Sequence, residues 1–141
     1  MQYDKFAAAI DGSDESKAAV QVAADLAQKM GASLTLITVV RPPEGWWGLE
    51  GSPPSPEAMS QAISSAREEL LEPIQKSLDF EVDTILEVGE PGAAIINVCH
   101  ENDFDMLFVG RRGAGVVERV RMGSVADRLA HHAPCPVVIV P

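Results

Sequence analysis

The feature that most constrains this chain is a regular alternation of two hydrophobic rhythms along its 141 residues. Short apolar runs, most of them rich in β-branched residues, recur at Lys5 to Ile10, Ser33 to Val40, Phe80 to Val88, Asp105 to Val109 and Pro136 to Pro141. Segments with helical spacing lie between them. Ser13 caps the first, with Asp14 and Glu15 in its opening turn, and Ala19, Val22, Ala23, Leu26 and Met30 make its apolar stripe before Gly31 ends it. Ser55-Pro56-Glu57 opens the second, whose stripe runs through Met59, Ile63, Ala66, Leu70, Ile74 and Leu78 and should kink or loosen at Pro73. Pro91 opens the third, carrying Ala94, Ile95, Val98 and Cys99. The fourth begins with capping-box spacing, Ser124 to Asp127, and ends at His131-His132-Ala133-Pro134.

Five strands and four helices in this order predict an α/β fold: a five-stranded parallel sheet with helices on both faces. The length suits one domain over residues 1–141, burying roughly 70% of its unfolded surface without metals or disulfides. In such a sheet ligands bind beyond the carboxyl ends of the strands, where the strand order reverses. With the order 3-2-1-4-5, the first and fourth strands are neighbours at that point. Asp11 and Gly110, which end them, then face one crevice.

The crevice carries the informative residues. Gly110-Arg111-Arg112-Gly113 follows the fourth strand, and Gly123-Ser124 opens the helix after it. Glycines there let the backbone approach a bound group, and free N–H groups at a helix start attract anions. Four of the eleven basic residues, Arg111, Arg112, Arg119 and Arg121, lie between Gly110 and Met122, although the net charge is −10. A basic island in an acidic chain fits a small anion. The overall field argues against nucleic acid or a membrane surface as partner. The first helix starts with Asp14 and Glu15, which oppose a polyphosphate, so phosphates are expected against the N–H groups of Gly113, Gly123, Ser124 and Val125. The alternative is that Ser124 only caps its helix and the glycines only make turns. Asp11 can accept hydrogen bonds from a ribose or meet Mg²⁺ on the phosphates, or it can serve the Asp11-Gly12-Ser13 turn, or both.

Other residues exclude more than they assign. Cys99 and Cys135 lack metal-ligand spacing and read as buried, reduced thiols. The start, Met1-Gln2-Tyr3-Asp4-Lys5, has no apolar signal core, and no apolar run approaches the ~20 residues of a membrane span, so the expected location is the cytoplasm. Arg41 to Pro56 is a long loop with five prolines, three glycines and Trp46-Trp47, whose indoles either cover a ligand or anchor the loop. No nucleophile with an adjacent base is apparent, and His131 and His132 suit a helix C-terminus.

The spacing G-x2-G-x9-G-S resembles the ATP-binding signature of the universal stress protein family. Ala9-Ile10-Asp11-Gly12-Ser13, Leu34 to Val40, Gly89-Glu90-Pro91 and the ending from Gly123 to Val137 are similar to that family's first strand, second strand, third-helix turn and C-terminal segment. The resemblance implies a Rossmann-like domain in which Ala9, Val39 and Val109 line an adenine pocket and Asp11 meets the ribose. Gly110, Gly113, Gly123, Ser124 and Val125 would meet the phosphates. Arg111-Arg112 replaces the histidine or small polar residues common there, and one guanidinium is expected to reach the phosphates. The resemblance also implies a homodimer paired through Val137 to Val140. The expected function is an ATP-binding regulatory stress-response module, with or without Mg²⁺ and with at most slow hydrolysis. The rivals are an AMP or cyclic AMP binder and, behind it, an ATP-pyrophosphatase or adenylating enzyme. The latter expects a glycine-rich phosphate loop where this chain has Asp11-Gly12-Ser13-Asp14-Glu15-Ser16.

Overall fold

The computed structural model describes residues 2–42, 55–114 and 122–141. The Trp46-Trp47 loop and the stretch holding Arg119 and Arg121 lie outside the described residues. Strands β1 (Lys5–Ala9), β2 (Ser33–Val40), β3 (Asp83–Val88), β4 (Met106–Gly110) and β5 (Val137–Val140) form one sheet in the order β3-β2-β1-β4-β5. Every neighbouring pair is parallel, with Ala8 opposite Leu36 on one side and Phe108 on the other. The expected sheet and strand order are therefore observed.

Alternation along the central strands sends side chains to two cores. Phe6 and Ala8 of β1 join Leu34, Leu36 and Phe108 beneath helix α1 (Asp14–Met30), whose Ala19, Val20, Ala23, Ala24 and Ala27 are buried. The small alanines let α1 lie close to the sheet. The Phe6 and Phe108 rings meet at 5.4 Å between centroids. Ala7, Leu107 and Val109 face the opposite way, against α4 (Pro91–Asn102) and α5 (Ser124–His132), which contribute Ile95, Val98, Ala126 and Leu129. Helices thus cover both faces, as parallel strands require.

Four local expectations change. The second helical segment is one continuous run: α2 (Pro56–Ser65), a π-helical stretch at Ala66–Leu71, and α3 (Glu72–Ser77). Pro73 has no N–H to give, and the wider turn before it, with Glu72 N–H bonded to Arg67 O, carries the chain past the proline without ending the helix. Strand β3 starts at Asp83 and not Phe80, because the ladder begins with Asp83 opposite Thr35 while the Gln75 side-chain amide donates to Val82 O at 3.0 Å. Met30, expected on the core stripe, is 49% exposed as the last residue of α1, where Gly31 (φ 69°) turns the chain away. Ser124 does not cap α5. Gly123 is the N-cap and no side chain among the described residues caps that helix.

Candidate functional site

The chain leaves β1 in one direction, through β2 to β3, and returns on the other side as β4. The carboxyl ends of β1 and β4 therefore flank the point where strand order reverses. A cavity of about 400 Å³ opens there, within the range of small-molecule sites. Ala9, Val39 and Val109 line it, as do Asp11, Gly110, Gly113, Gly123, Ser124 and Val125. Nine of the eleven residues singled out from sequence thus share one cavity. Arg111 and Arg112 are not among its lining residues.

The turn after β1 is closed on itself. Asp11 Oδ1 accepts from Ser13 N at 2.9 Å and from the Ser13 hydroxyl at 2.5 Å. Ser13 Oγ in turn accepts from Ser16 N at 3.1 Å, and Ser16 Oγ donates to Ser13 O at 2.9 Å. Gly12 at φ 89° makes the bend possible. With its cap in place and Asp14 and Glu15 in its first turn, α1 presents little attraction for an anion. Asp11 also reaches beyond its own turn, because its Oδ2 accepts from Ala114 N at 3.0 Å and so ties the β1 turn to the glycine loop. The turn role and a cavity-facing role thus coexist in one carboxylate.

The start of α5 is the opposite case. Without a side-chain cap, the N–H groups of Ser124, Val125 and Ala126 are the orphan donors of a helix start, and all three residues line the cavity. The Ser124 hydroxyl, released from capping, sits at the same end.

None of the three motif glycines has a positive φ; they are needed because a Cβ has no room. At Gly110 a Cβ would lie 2.7 Å from the carbonyl carbon of Glu15 and 2.9 Å from Ser16 N. At Gly113 it would meet Asp11 Oδ2 at 2.8 Å, and at Gly123 it would press on Gly113 N at 3.3 Å. Backbone bonds fix the same approach: Gly123 N donates to Arg111 O at 2.7 Å, and Arg111 N to Val140 O at 2.8 Å. The glycines draw the ends of β4 and β5 and the starts of α1 and α5 into one knot around the cavity mouth.

The arginines hold that knot from outside the cavity. Arg112 Nη2 lies 2.8 Å from Glu15 Oε1, and its Nε donates to the same oxygen at 3.1 Å. Arg111 Nε is buried and has no hydrogen-bond partner among the described residues.

Sequence reasoning missed one wall. Ala62, Ala66 and Leu70 of the helical run over α2 and the π-helical stretch line the cavity, with Leu70 Cδ2 3.3 Å from where a Cβ on Gly12 would sit. Ala66 and Leu70 belong to the helix stripe legible in the sequence; Ala62 does not. Thr38, buried and donating to Ile10 O at 2.8 Å, and Arg41 also line it, as do Pro91 and Ile95 of α4. Glu90 caps α4 through Ala93 N at 2.8 Å and Gly92 N at 3.2 Å, and Arg128 of α5 bonds it at 2.8 Å. Burial pushes its carboxyl up, but the bonds from Ala93 and Gly92 and the charges of Arg128 and Arg41 outweigh this and hold it below the ordinary value.

Fold and site together define a doubly wound α/β domain with an anion-receptive cleft at its switch point. The family model described as "Universal stress protein family" matches residues 2–141, and the chain belongs to that family. It is 31% identical over 132 residues to "Universal stress protein in QAH/OAS sulfhydrylase 3'region" of Thermus aquaticus, covering 94% of each chain. It is 30% identical to universal stress protein YxiE of Bacillus subtilis over 98% of this chain and 99% of that one. Among solved structures, universal stress protein UspA from Lactobacillus plantarum superposes with a TM-score of 0.84 at 22% identity, over 100% of this chain and 99% of that one. A universal stress protein in complex with cAMP (TM-score 0.66, 22% identity, 100% and 99% covered) shares the fold. So does one from Archaeoglobus fulgidus in complex with dAMP (TM-score 0.63, 24% identity, 100% of each chain).

Proposed function

We propose that this domain is an adenine-nucleotide-binding regulatory module and that its principal ligand is ATP. One observation carries the reading: a single cavity joins an apolar wall to an uncapped helix start. Ala9, Val39, Val109 and Ile95 make the wall, and the N–H groups of Ser124 and Val125 stand at the other end. A flat heterocycle suits the first and phosphate the second. Asp11 lines the stretch between them, where a ribose would lie. That two universal stress proteins of the same fold are complexed with cAMP and with dAMP supports an adenine nucleotide as the ligand.

The residues fit Mg²⁺ only as a passenger on the phosphates. Among the described residues that line the cavity Asp11 is the one carboxylate, and three protein donors already engage it. It can contribute one oxygen to an ion that the phosphates mainly hold. No group of three or more metal-ligating side chains occurs among the described residues. Holding the nucleotide, with at most slow hydrolysis, is therefore the role we assign, and signalling would follow from occupancy. An adenylating enzyme is disfavoured because the turn after β1 has its donors engaged by Asp11 and Ser13. AMP or cyclic AMP is the second reading, since a single phosphate needs only the α5 amides. We place the protein in the cytoplasm; no helix among the described residues is long and apolar enough to cross a membrane. As edge strand, β5 offers Val137 to Val140 for pairing in a homodimer.

Calorimetric titration with ATP, ADP, AMP and cyclic AMP tests the reading. The expected result is micromolar or tighter binding of ATP, abolished by Gly123→Val. Tighter binding of AMP or cyclic AMP would select the second reading. No heat with any of the four, together with no co-purified nucleotide by mass spectrometry, would refute both.

A further inference from the structure

A second, smaller cavity of about 230 Å³ lies at the opposite edge of the sheet, where the amino ends of β4 and β5 meet the end of α4. Cys99 of α4 and Cys135, just ahead of β5, both line it, together with His100, Asp103 and Asp105. Both cysteines are free thiols, and they face one small cavity and pack in one apolar cluster from two elements far apart in sequence. Cys99 is fully buried, at 1% exposure, whereas Cys135 is half-buried and reachable from solvent, which corrects the expectation that both are buried.

We propose that Cys99 and Cys135 form a peroxide-oxidisable dithiol, with Cys135 the sulfur that is attacked from solvent and Cys99 the one that resolves it. The Cys135 thiolate attacks a hydroperoxide oxygen; an S–O bond forms as the O–O bond breaks, and the leaving oxygen departs as water after taking a proton. Cys99 sulfur then attacks the Cys135 sulfenic acid. An S–S bond forms, the S–O bond breaks, and the Cys99 proton leaves with the hydroxide as a second water. Two thiols and one hydrogen peroxide become one disulfide and two waters.

The surroundings divide these roles. Cys135 is the more exposed of the two, and its interaction with the Cys99 thiol pushes it down, against its burial and the Asp105 carboxylate, so Cys135 is the readier thiolate. The same interaction, then burial, push Cys99 up, so in the reduced protein it keeps its proton. His100 adds a positive charge beside the cavity when protonated, whereas Asp103 and Asp105 add negative ones. The bridge would close a loop containing β4, the glycine knot and α5. It would pin the start of β5 to α4 and fix the frame of the switch-point cavity from below.

The test uses the full chain, reduced and then treated with hydrogen peroxide. The expected product is a monomeric polypeptide lighter by two hydrogen atoms, with neither thiol open to maleimide after denaturation. A peptide map should show Cys99 joined to Cys135, and dithiothreitol should restore both thiols. Its urea midpoint should exceed that of the reduced form. In Cys99→Ala, Cys135 should be trapped by dimedone as the sulfenic acid; in Cys135→Ser, Cys99 should resist peroxide while the protein is folded. The wild-type map does not depend on either variant folding. Two thiols still labelled after peroxide, Cys135 driven to the sulfinic acid unbridged, or bridges formed only between chains would each overturn the proposal.

Discussion

Replacing Gly110 with alanine separates two reasons for a glycine at the end of β4. A Cβ there would lie 2.7 Å from the Glu15 carbonyl carbon, 2.8 Å from Glu15 Cβ and 2.9 Å from Ser16 N. Two of these are backbone atoms of a helix start pinned by the Asp11, Ser13 and Ser16 bonds, so no side-chain rotation relieves the contact. The first turn of α1 must retreat by about 0.7 Å to reach ordinary van der Waals separation. Overpacking of this kind costs about 1–3 kcal/mol. For a domain of this size that lowers Tm by about 4 °C per kcal/mol, or about 4–12 °C. Urea unfolding of the nucleotide-free protein should show a lower midpoint with an unchanged slope. By contrast, Gly113→Ala meets only the Asp11 carboxylate end, so its stability loss should be at the low end, about 1 kcal/mol, with its main effect on ligand binding. If Gly110→Ala unfolds at the wild-type midpoint yet loses nucleotide binding, the glycine serves the ligand and not α1, and the reasoning fails.

Three further perturbations probe other parts of the structure. Gly31 ends α1 at φ 69° with open space around it, so Gly31→Ala should cost about 1 kcal/mol through backbone strain alone, read from the urea midpoint; a neutral result would contradict the left-handed cap. Glu15→Gln and Arg112→Ala, combined in a double-mutant cycle, should show a coupling of about 1 kcal/mol that shrinks with salt, because the side chains are 21% and 18% exposed. Additive single effects would show that the pair contributes nothing. Glu90 is held below its ordinary value of 4.5, partial desolvation being outweighed by the Ala93 and Gly92 bonds and the charges of Arg128 and Arg41. Its stabilising contribution is therefore complete above that pH and is lost as pH falls through the lower folded value. The carboxyl is about half exposed, so Glu90→Gln should remove only about 0.5 kcal/mol of acid-sensitive stability; an unchanged stability profile between about pH 5 and about pH 3 would refute it.

Much of the fold was legible because its signals are local. The apolar runs at β1, β2 and β4 read as strands, and the caps at Ser13 and Ser55 and the proline at Pro91 mark helix starts that the structure keeps. What failed to read locally depends on partners elsewhere. Ser124 carried the right residue type and spacing for a cap, but Gly123 takes that position because its N–H is held by Arg111 O. The helical stripe through Ala66 and Leu70 gave an apolar face without saying what it meets, and the answer is a cavity wall as well as core. One partner of Arg112 lies 97 positions away at Glu15, a pairing that no window of sequence contains. The glycines were readable as places without room, but a pattern cannot name the atom that fills the space. Here it is largely the protein's own backbone.

Two helix starts reach the edge of this cleft, and their difference in caps decides what the cleft can hold. At α1 the Ser16 N–H is spent on Ser13, the Ser13 N–H on Asp11, and two acids oppose any anion. At α5 no side chain among the described residues caps the first turn, and the helix's own acid, Asp127, lies in the fourth helical position. An anion entering the cavity meets repulsion at one end and unpaired donors at the other, so it is oriented before either arginine is considered. Arg112 does not need to touch a phosphate to matter. By binding Glu15 it offsets an acid beside the glycine knot and fixes α1 against Gly110. Arg112→Ala therefore distinguishes the two roles: loss of a guanidinium that serves phosphate would lower nucleotide affinity at an unchanged urea midpoint, whereas loss of one that serves the knot would lower the midpoint and leave affinity largely unchanged. The geometry favours the second outcome, because neither guanidinium lines the cavity and the backbone donors that do are already in place.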